Sequence, residues 1–228
     1  MKRIRIKLLS DGTFGRGDGV PGIVDDEIDY DIATGLPFLK GRTLKGLIVE
    51  ECSNILFSVS RFAPGSLSAL EASAGRLFGA PGSTEHDEGS LHFGEALVDE
   101  AIRIAIRHAV TGARRIVQPV EILNAFTGVR RRSAIDEVSD APKDETLRSA
   151  RIVMRGIELF APIIEIRAVE DLDWQLLAAS IAGLRRGGKN RNRGAGKLEC
   201  ALLDDTTDQT ATWSSDFLKR HVKQAVSL

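Results

Sequence analysis

From Arg3 to Leu8 the chain alternates strictly between basic and apolar side chains, with Arg3, Arg5 and Lys7 on one side and Ile4, Ile6 and Leu8 on the other. A period of two places successive side chains on opposite faces of a strand. The chain must therefore open with a β-strand that turns one face to a core and a basic face to water. Such a strand needs sheet partners and a layer that covers its apolar face. Leu44, Leu47, Ile48, Cys52, Ile55 and Leu56 recur at helical spacing and predict a helix beginning near Thr43, a residue able to cap it. Trp174, Leu177, Ala178 and Ile181 predict a second helix, with Asp171 or Asp173 as its cap.

The remaining segments fill in the order. Residues 60–90 are rich in Gly, Pro and Ser and read as a loop, with a short helical piece around Leu70–Leu77. Strand-like stretches follow at Ser90–Glu95 and Ala101–His108. Residues 111–150 mix Arg, Asp, Thr and Pro with little periodicity and predict a long excursion or hairpin away from the core. Residues 151–168 predict two strands, or one bent strand broken at Pro162. A basic glycine-rich loop leads into a last strand over Lys197–Leu203, and the tail from Thr212 to Leu228 predicts a terminal helix. This order predicts an α+β fold, a ferredoxin-like (RRM-like) βαββαβ palm carrying a hairpin insertion. At 228 residues, a single domain over 1–228 with the insertion at about 111–150 accounts for the whole chain.

Charge narrows the function. The formal net charge is −1, which argues against a bulk polycation. It is a sum of segregated blocks. Asp11, Asp18, Asp25, Asp26, Glu27, Asp29 and Asp31 crowd one stretch in which Arg16 is the sole base. Arg185, Arg186, Lys189, Arg191, Arg193 and Lys197 crowd another that holds no acid. A third, basic block comprises Arg114, Arg115, Arg130, Arg131 and Arg132. No apolar run approaches the ~18 residues of a membrane helix. Met1 is followed by Lys2 and Arg3 rather than by an apolar signal core, so the expectation is a soluble, cytoplasmic protein with no membrane partner. Cys52 and Cys200 cannot build a disulfide scaffold or a four-ligand zinc site by themselves.

Several motifs fail on context. Gly17, Gly19 and Gly22 match G-x-G-x-x-G after a strand, but Pro21 and the surrounding acids do not open a helix there. Gly196-Lys197 lacks the hydroxyl residue and upstream glycine of a phosphate-binding P-loop. His86, His92, His108 and His221 are scattered, and structural roles suit His92 and His108 on their apparent strands.

Three motifs survive. The loop Gly187–Lys197 alternates glycines, which let backbone amides approach phosphates, with Lys189, Arg191, Arg193 and Lys197, which neutralise them. The junction Thr34-Gly35-Leu36-Pro37-Phe38-Leu39-Lys40-Gly41-Arg42-Thr43-Leu44-Lys45-Gly46 places Arg42 and Lys45 at a helix start, where exposed amides favour anions. The acidic stretch Asp25-Asp26-Glu27 offers carboxylates for a divalent metal or a ribose hydroxyl.

Together these elements closely resemble the RAMP superfamily of CRISPR effector proteins, from Ile4 to Glu199. Leu77-Phe78-Gly79, Gly89-Ser90-Leu91-His92-Phe93 and Thr127-Gly128-Val129-Arg130 through Ile135-Asp136 resemble further short elements of that group. The best match is to the backbone subunit of type III effector complexes, and the Arg42-Thr43 pair looks more like the divergent III-D branch. The resemblance implies an antiviral ribonucleoprotein in which several copies line a guide RNA beside other RAMP subunits and a large polymerase-like subunit. It implies a thumb hairpin around 125–150. It also implies RNA contacts from Arg16, Arg42, Lys45, Arg130, Arg132, Lys189, Arg191, Arg193 and Lys197. In that group an aspartate ten residues before the glycine of G-L-P cleaves the paired target RNA. Here that position is Asp25, with Asp26 the adjacent alternative, and Asp25 would hold Mg²⁺ or another divalent cation. A non-cleaving structural or capping subunit is the alternative. The superfamily's guide-processing endonucleases commonly use a histidine near the first helix, and none precedes His86 here.

Overall fold

A computed structural model of the chain describes residues 1–20, 22–79, 88–112, 116–133 and 148–221. The elements run β1 (Lys2–Leu8), α1 (Gly41–Phe62), α2 (Leu67–Phe78), β2 (Leu91–Phe93), β3 (Leu97–Val98), α3 (Glu100–Thr111), α4 (Pro119–Phe126), β4 (Thr127–Arg132), β5 (Arg148–Val153), β6 (Glu158–Glu165), α5 (Asp171–Gly183), β7 (Leu198–Asp204), β8 (Thr207–Asp208) and α6 (Thr210–His221).

β1 lies at the centre of an antiparallel sheet, flanked by β6 on one side and β7 on the other, with β2 and β3 both pairing to the far edge of β6. The strands β1, β2, β6 and β7, with α1 and α5 as crossovers, reproduce the predicted βαββαβ order. β4 and β5 form a separate two-stranded sheet inserted between β2 and β6 in sequence.

The period-two pattern of β1 behaves as expected. Ile4, Ile6 and Leu8 are buried, against Leu159 and Ala161 of β6 and Leu202 of β7, under α1 and α5. α5 is the central helix of the covering layer: Trp174, Leu176, Leu177, Ala178 and Ile181 are all buried, and it packs on α1, α2, α6 and β7. The opposite face is basic only in part. Lys7 pairs with Glu158 at 3.3 Å and Arg5 with Glu199 at 3.5 Å, so acids on the neighbouring strands offset the basic row.

Four local expectations change. The stretch over Ala101–His108 is helical, in α3, because the Asp99 side chain accepts from the Ala101 amide and starts the helix, leaving Ile102 and Ile104 exposed. Apolar alternation over such a short run does not separate strand from helix. α1 begins at Gly41 with Lys40 as its cap residue, and Thr43 lies inside it. Glu170, not Asp171 or Asp173, caps α5, and Asp173 completes the capping box. Pro162 does not break β6. It sits where the far edge passes from β3 to β2, and although it has no amide to return the bond, its carbonyl accepts from Gly94 at 2.9 Å. The excursion also contains α4, which has no strong signal in the sequence and ends directly in β4.

Asp173 ties two helices together. Its fully buried carboxylate accepts from Arg76 at 2.7 Å and Ser73 at 2.6 Å, both on α2. Burial alone would raise its pKa, but the bonds from Arg76 and Ser73 outweigh that and hold it below the ordinary carboxylate value. A depressed folded pKa contributes stability that is present above the unfolded pKa of about 3.9 and is lost as pH falls through the folded value. Asp173→Ala is expected to cost about 2–4 kcal/mol in urea unfolding at neutral pH. The variant should also lose part of the wild type's decline in stability below about pH 4.

Candidate nucleic-acid interface

The acidic stretch is anchored by its most buried member. Glu27 is 1% exposed, and its Oε1 accepts from Arg151 Nε at 2.8 Å and from the Ile28 amide at 2.9 Å. Arg151 is 8% exposed and lies on β5. Its own backbone amide donates to the Asp26 carbonyl at 2.9 Å, and its carbonyl accepts from Thr13 Oγ1 at 3.0 Å. Glu27 is therefore a structural residue that docks residues 11–31 onto the hairpin. Asp26 pairs with Ala150, Gly12 with Val153 and Thr13 with Lys189, so the acidic loop lies between β5 and the glycine-rich loop.

The glycines of that second loop serve the protein's own backbone. Gly188 has φ +83°, and a Cβ there would come within 2.5 Å of the Thr13 carbonyl oxygen. Gly196 has φ +63°, and a Cβ would meet the Gly187 carbonyl oxygen at 1.9 Å. The amides of Gly187, Lys189 and Gly196 donate to Gly196, Thr13 and Asp11 carbonyls respectively. Those three amides are thus spent inside the fold, and the loop presents side chains rather than a backbone cradle.

A cleft of about 600 Å³ opens where the three segments meet, lined by Arg130, Arg132, Arg148, Lys189 and Arg193 with Asp11 and Asp26. Four of the cations expected to touch RNA converge here, although they come from the hairpin and from the glycine-rich loop. The others lie elsewhere. Arg16 pairs with Asp18 at 2.5 Å, and Arg191 holds Glu50 of α1 with bonds of 2.9 and 2.5 Å, which lower the Glu50 pKa. Arg42 lies in the first turn of α1, which carries no acid and no side-chain cap, and Lys45 opens the second. Lys197 is exposed just before β7. Arg114, Arg115 and His86, together with 134–147 of the expected thumb, fall outside the described residues.

The two candidate aspartates differ. Asp26 forms an ion pair with Lys189. Asp25 is exposed, and its Oδ2 accepts from the Ser149 amide at 2.6 Å and the Ser149 hydroxyl at 3.0 Å. Those bonds, the amide's first, lower its pKa and keep it an anion. Among the described residues no three His, Cys, Asp or Glu side chains group closely enough to hold a metal ion. A divalent cation would therefore fit only as a shared ion, with Asp25 on one side and phosphate oxygens on the other. Sequence reasoning missed Arg148, Ser149 and the role of Glu27. Arg148 and Ser149 sit in an aperiodic stretch, and Ser149 and Arg151 stand 124 positions from Asp25 and Glu27, the carboxylates they hold.

No protein-family model matches the chain, and no curated protein matches it in sequence. Solved structures do match it in fold. One is a chain of the type III-B Cmr-beta seen by cryo-EM in its apo state, 14% identical, with a TM-score of 0.59 over 90% of this chain and 98% of that one. Another comes from the type III-B Cmr-beta bound to cognate target RNA, 12% identical, with a TM-score of 0.61 and the same coverage of 90% and 98%. The fold is shared. It is the mixed α+β, ferredoxin-like fold described above. Among the described residues no helix is long and apolar enough to cross a membrane.

Glu27→Ala would strand the buried Arg151 guanidinium and remove the acceptor of the Ile28 amide. Hydrogen exchange should show faster opening at Arg16 and Ile28 than in the wild type, with a global loss of about 3 kcal/mol in denaturant unfolding.

Proposed function

We propose that this protein is a guide-RNA-binding backbone subunit of a type III CRISPR ribonucleoprotein effector complex, and that Asp25 serves cleavage of the paired target RNA. The observation that carries the reading is the convergence of Arg130, Arg132, Arg148, Lys189 and Arg193 on one cleft beside the Asp25–Ser149 contact. Fold likeness to chains of the type III-B Cmr-beta supports the type III assignment. The Arg42-Thr43 junction favours the III-D branch within it.

The chemistry asks little of the protein. RNA carries its own nucleophile in the 2′-hydroxyl, so the chain needs only to seat the strand, align that hydroxyl and offset developing charge. The cleft cations hold phosphates as point charges or, for arginine, as paired donors. Ser149 fixes one oxygen of Asp25 and so orients the carboxylate. Mg²⁺ or another divalent cation, when bound, would supply neutralisation of the charge that builds on the scissile phosphate. The non-cleaving reading is favoured by one observation: Asp26 is committed to Lys189, which leaves a single carboxylate for the reaction.

Two experiments bear on these statements. Arg132→Ala with Arg193→Ala should weaken binding of single-stranded RNA about 10-fold or more and flatten its salt dependence by about 1.4 in log–log slope, read by filter binding. Unchanged affinity and slope would remove the cleft from the RNA interface. In the assembled complex, Asp25→Ala should abolish target cleavage while the bound guide, extracted and sized, keeps its length. Cleavage at wild-type rate would favour the non-cleaving role for Asp25, and Asp26→Ala then asks the same of its neighbour.

A further inference from the structure

Two of the cleft's cations already hold carboxylates. Arg130 pairs with Asp11 and Lys189 with Asp26, and both acids line the same cleft. Neither pairing is local: the partners stand 119 and 163 positions apart in the chain. The acids are carried there by backbone pairing, Gly12 with Val153 and Asp26 with Ala150. The Asp26 main chain is satisfied without its side chain, since its amide donates to the Ser149 carbonyl at 3.1 Å and its carbonyl accepts from Arg151 at 2.9 Å. Packing of the loop therefore does not require a carboxylate at 26; what the carboxylate meets is Lys189. A carboxylate offers these cations the same charge and the same acceptor oxygens as a phosphodiester.

We infer that Asp11 and Asp26 are specificity-determining residues that occupy phosphate positions of the cleft in the free chain, so that RNA must displace them. The inference rests on the cleft being the RNA interface. A loosely held polyanion gains little at Arg130 and Lys189, because one anion merely replaces another. A strand seated along the whole cleft also meets Arg132, Arg148 and Arg193, which make no ion pair among the described residues and can offset the displacement. The outcome is discrimination by a built-in competitor rather than by added attraction.

The test uses the full chain and a uridine homopolymer as the probe, with binding followed by fluorescence anisotropy over a range of salt. Asp26→Asn and Asp11→Asn should each tighten binding about fivefold, equivalent to ~1 kcal/mol, and steepen the log–log salt slope by about one. Asp26→Glu, which keeps the charge, should bind as the wild type does. Arg132→Ala and Arg193→Ala, which remove cations that face no such competitor among the described residues, should weaken binding. If the alanine variants weaken binding while both asparagine variants bind no more tightly than wild type, the competitor role falls and the interface stands. If the alanine variants bind unchanged, the interface itself falls. Asp11→Asn keeps an acceptor for the Arg155 amide, which Asp11 Oδ1 accepts at 3.0 Å, and so carries the test independently should Asp26→Asn fail to fold.

Discussion

The candidate site depends on one buried ion pair. Glu27 and Arg151 are both removed from water, and neither can leave without stranding the other's charge. A contact of that kind is costly to form and more costly to break halfway, so it sets register more firmly than apolar packing of the same size would. Here it sets the register of residues 11–31 against β5. That register places the Asp25 carboxylate under Ser149 and the Asp26 carboxylate against Lys189. Thr13, reaching back to the Arg151 carbonyl, extends the same docking toward the glycine-rich loop. Three segments far apart in sequence are thereby held around one cleft.

Charge in this protein is separated along the chain and largely recombined in space. The acidic block supplies partners to Arg16, Arg130 and Lys189, and Glu50 of α1 supplies one to Arg191. Among the described residues, the cleft's Arg132, Arg148 and Arg193 make no ion pair and leave it a local excess of positive charge. A net charge of −1 is compatible with a focused cationic site because the field that matters is local. The glycine-rich loop packs on these same segments through its backbone. Its glycines admit the close backbone approach to Thr13 and Gly187 that closes the loop on its neighbours.

The palm was legible because its elements carry clean periods. The alternation of β1, the apolar run of α5 and the last strand bury the residues that their patterns nominate, while the stripe of α1 buries Leu44, Ile48 and Cys52 and packs Leu47, Ile55 and Leu56 part-buried at its margin. α3 is not legible in the same way, because Ile102, Ile104 and Ile106 alternate with Arg103, Ala105 and Arg107, a pattern that mimics a half-buried strand. What decides that segment is the Asp99 cap, together with the absence of a strand partner for it in the described sheet. α4 is short and depends on tertiary fit: its Pro119 carbonyl comes so near Gly35 that a Cβ there would lie 1.9 Å away. Gly35, the glycine of the G-L-P-F segment, thus admits the insertion, a role no local pattern announces.

By itself the sequence determined the order of strands and helices, the apolar face of each, and the division of charge into acidic and basic blocks, since all of these are set by neighbours within a few residues. Only the tertiary structure decided which acid meets which base. Glu27 became an anchor, Asp26 a partner of Lys189 and Asp25 a hydrogen-bonded, exposed anion, though the three stand side by side in the chain. Alternation of side chains along an extended segment sends neighbours in different directions, and their partners lie more than a hundred residues away. Burial and pairing, which separate a structural carboxylate from a functional one, exist only once those distant segments are packed together.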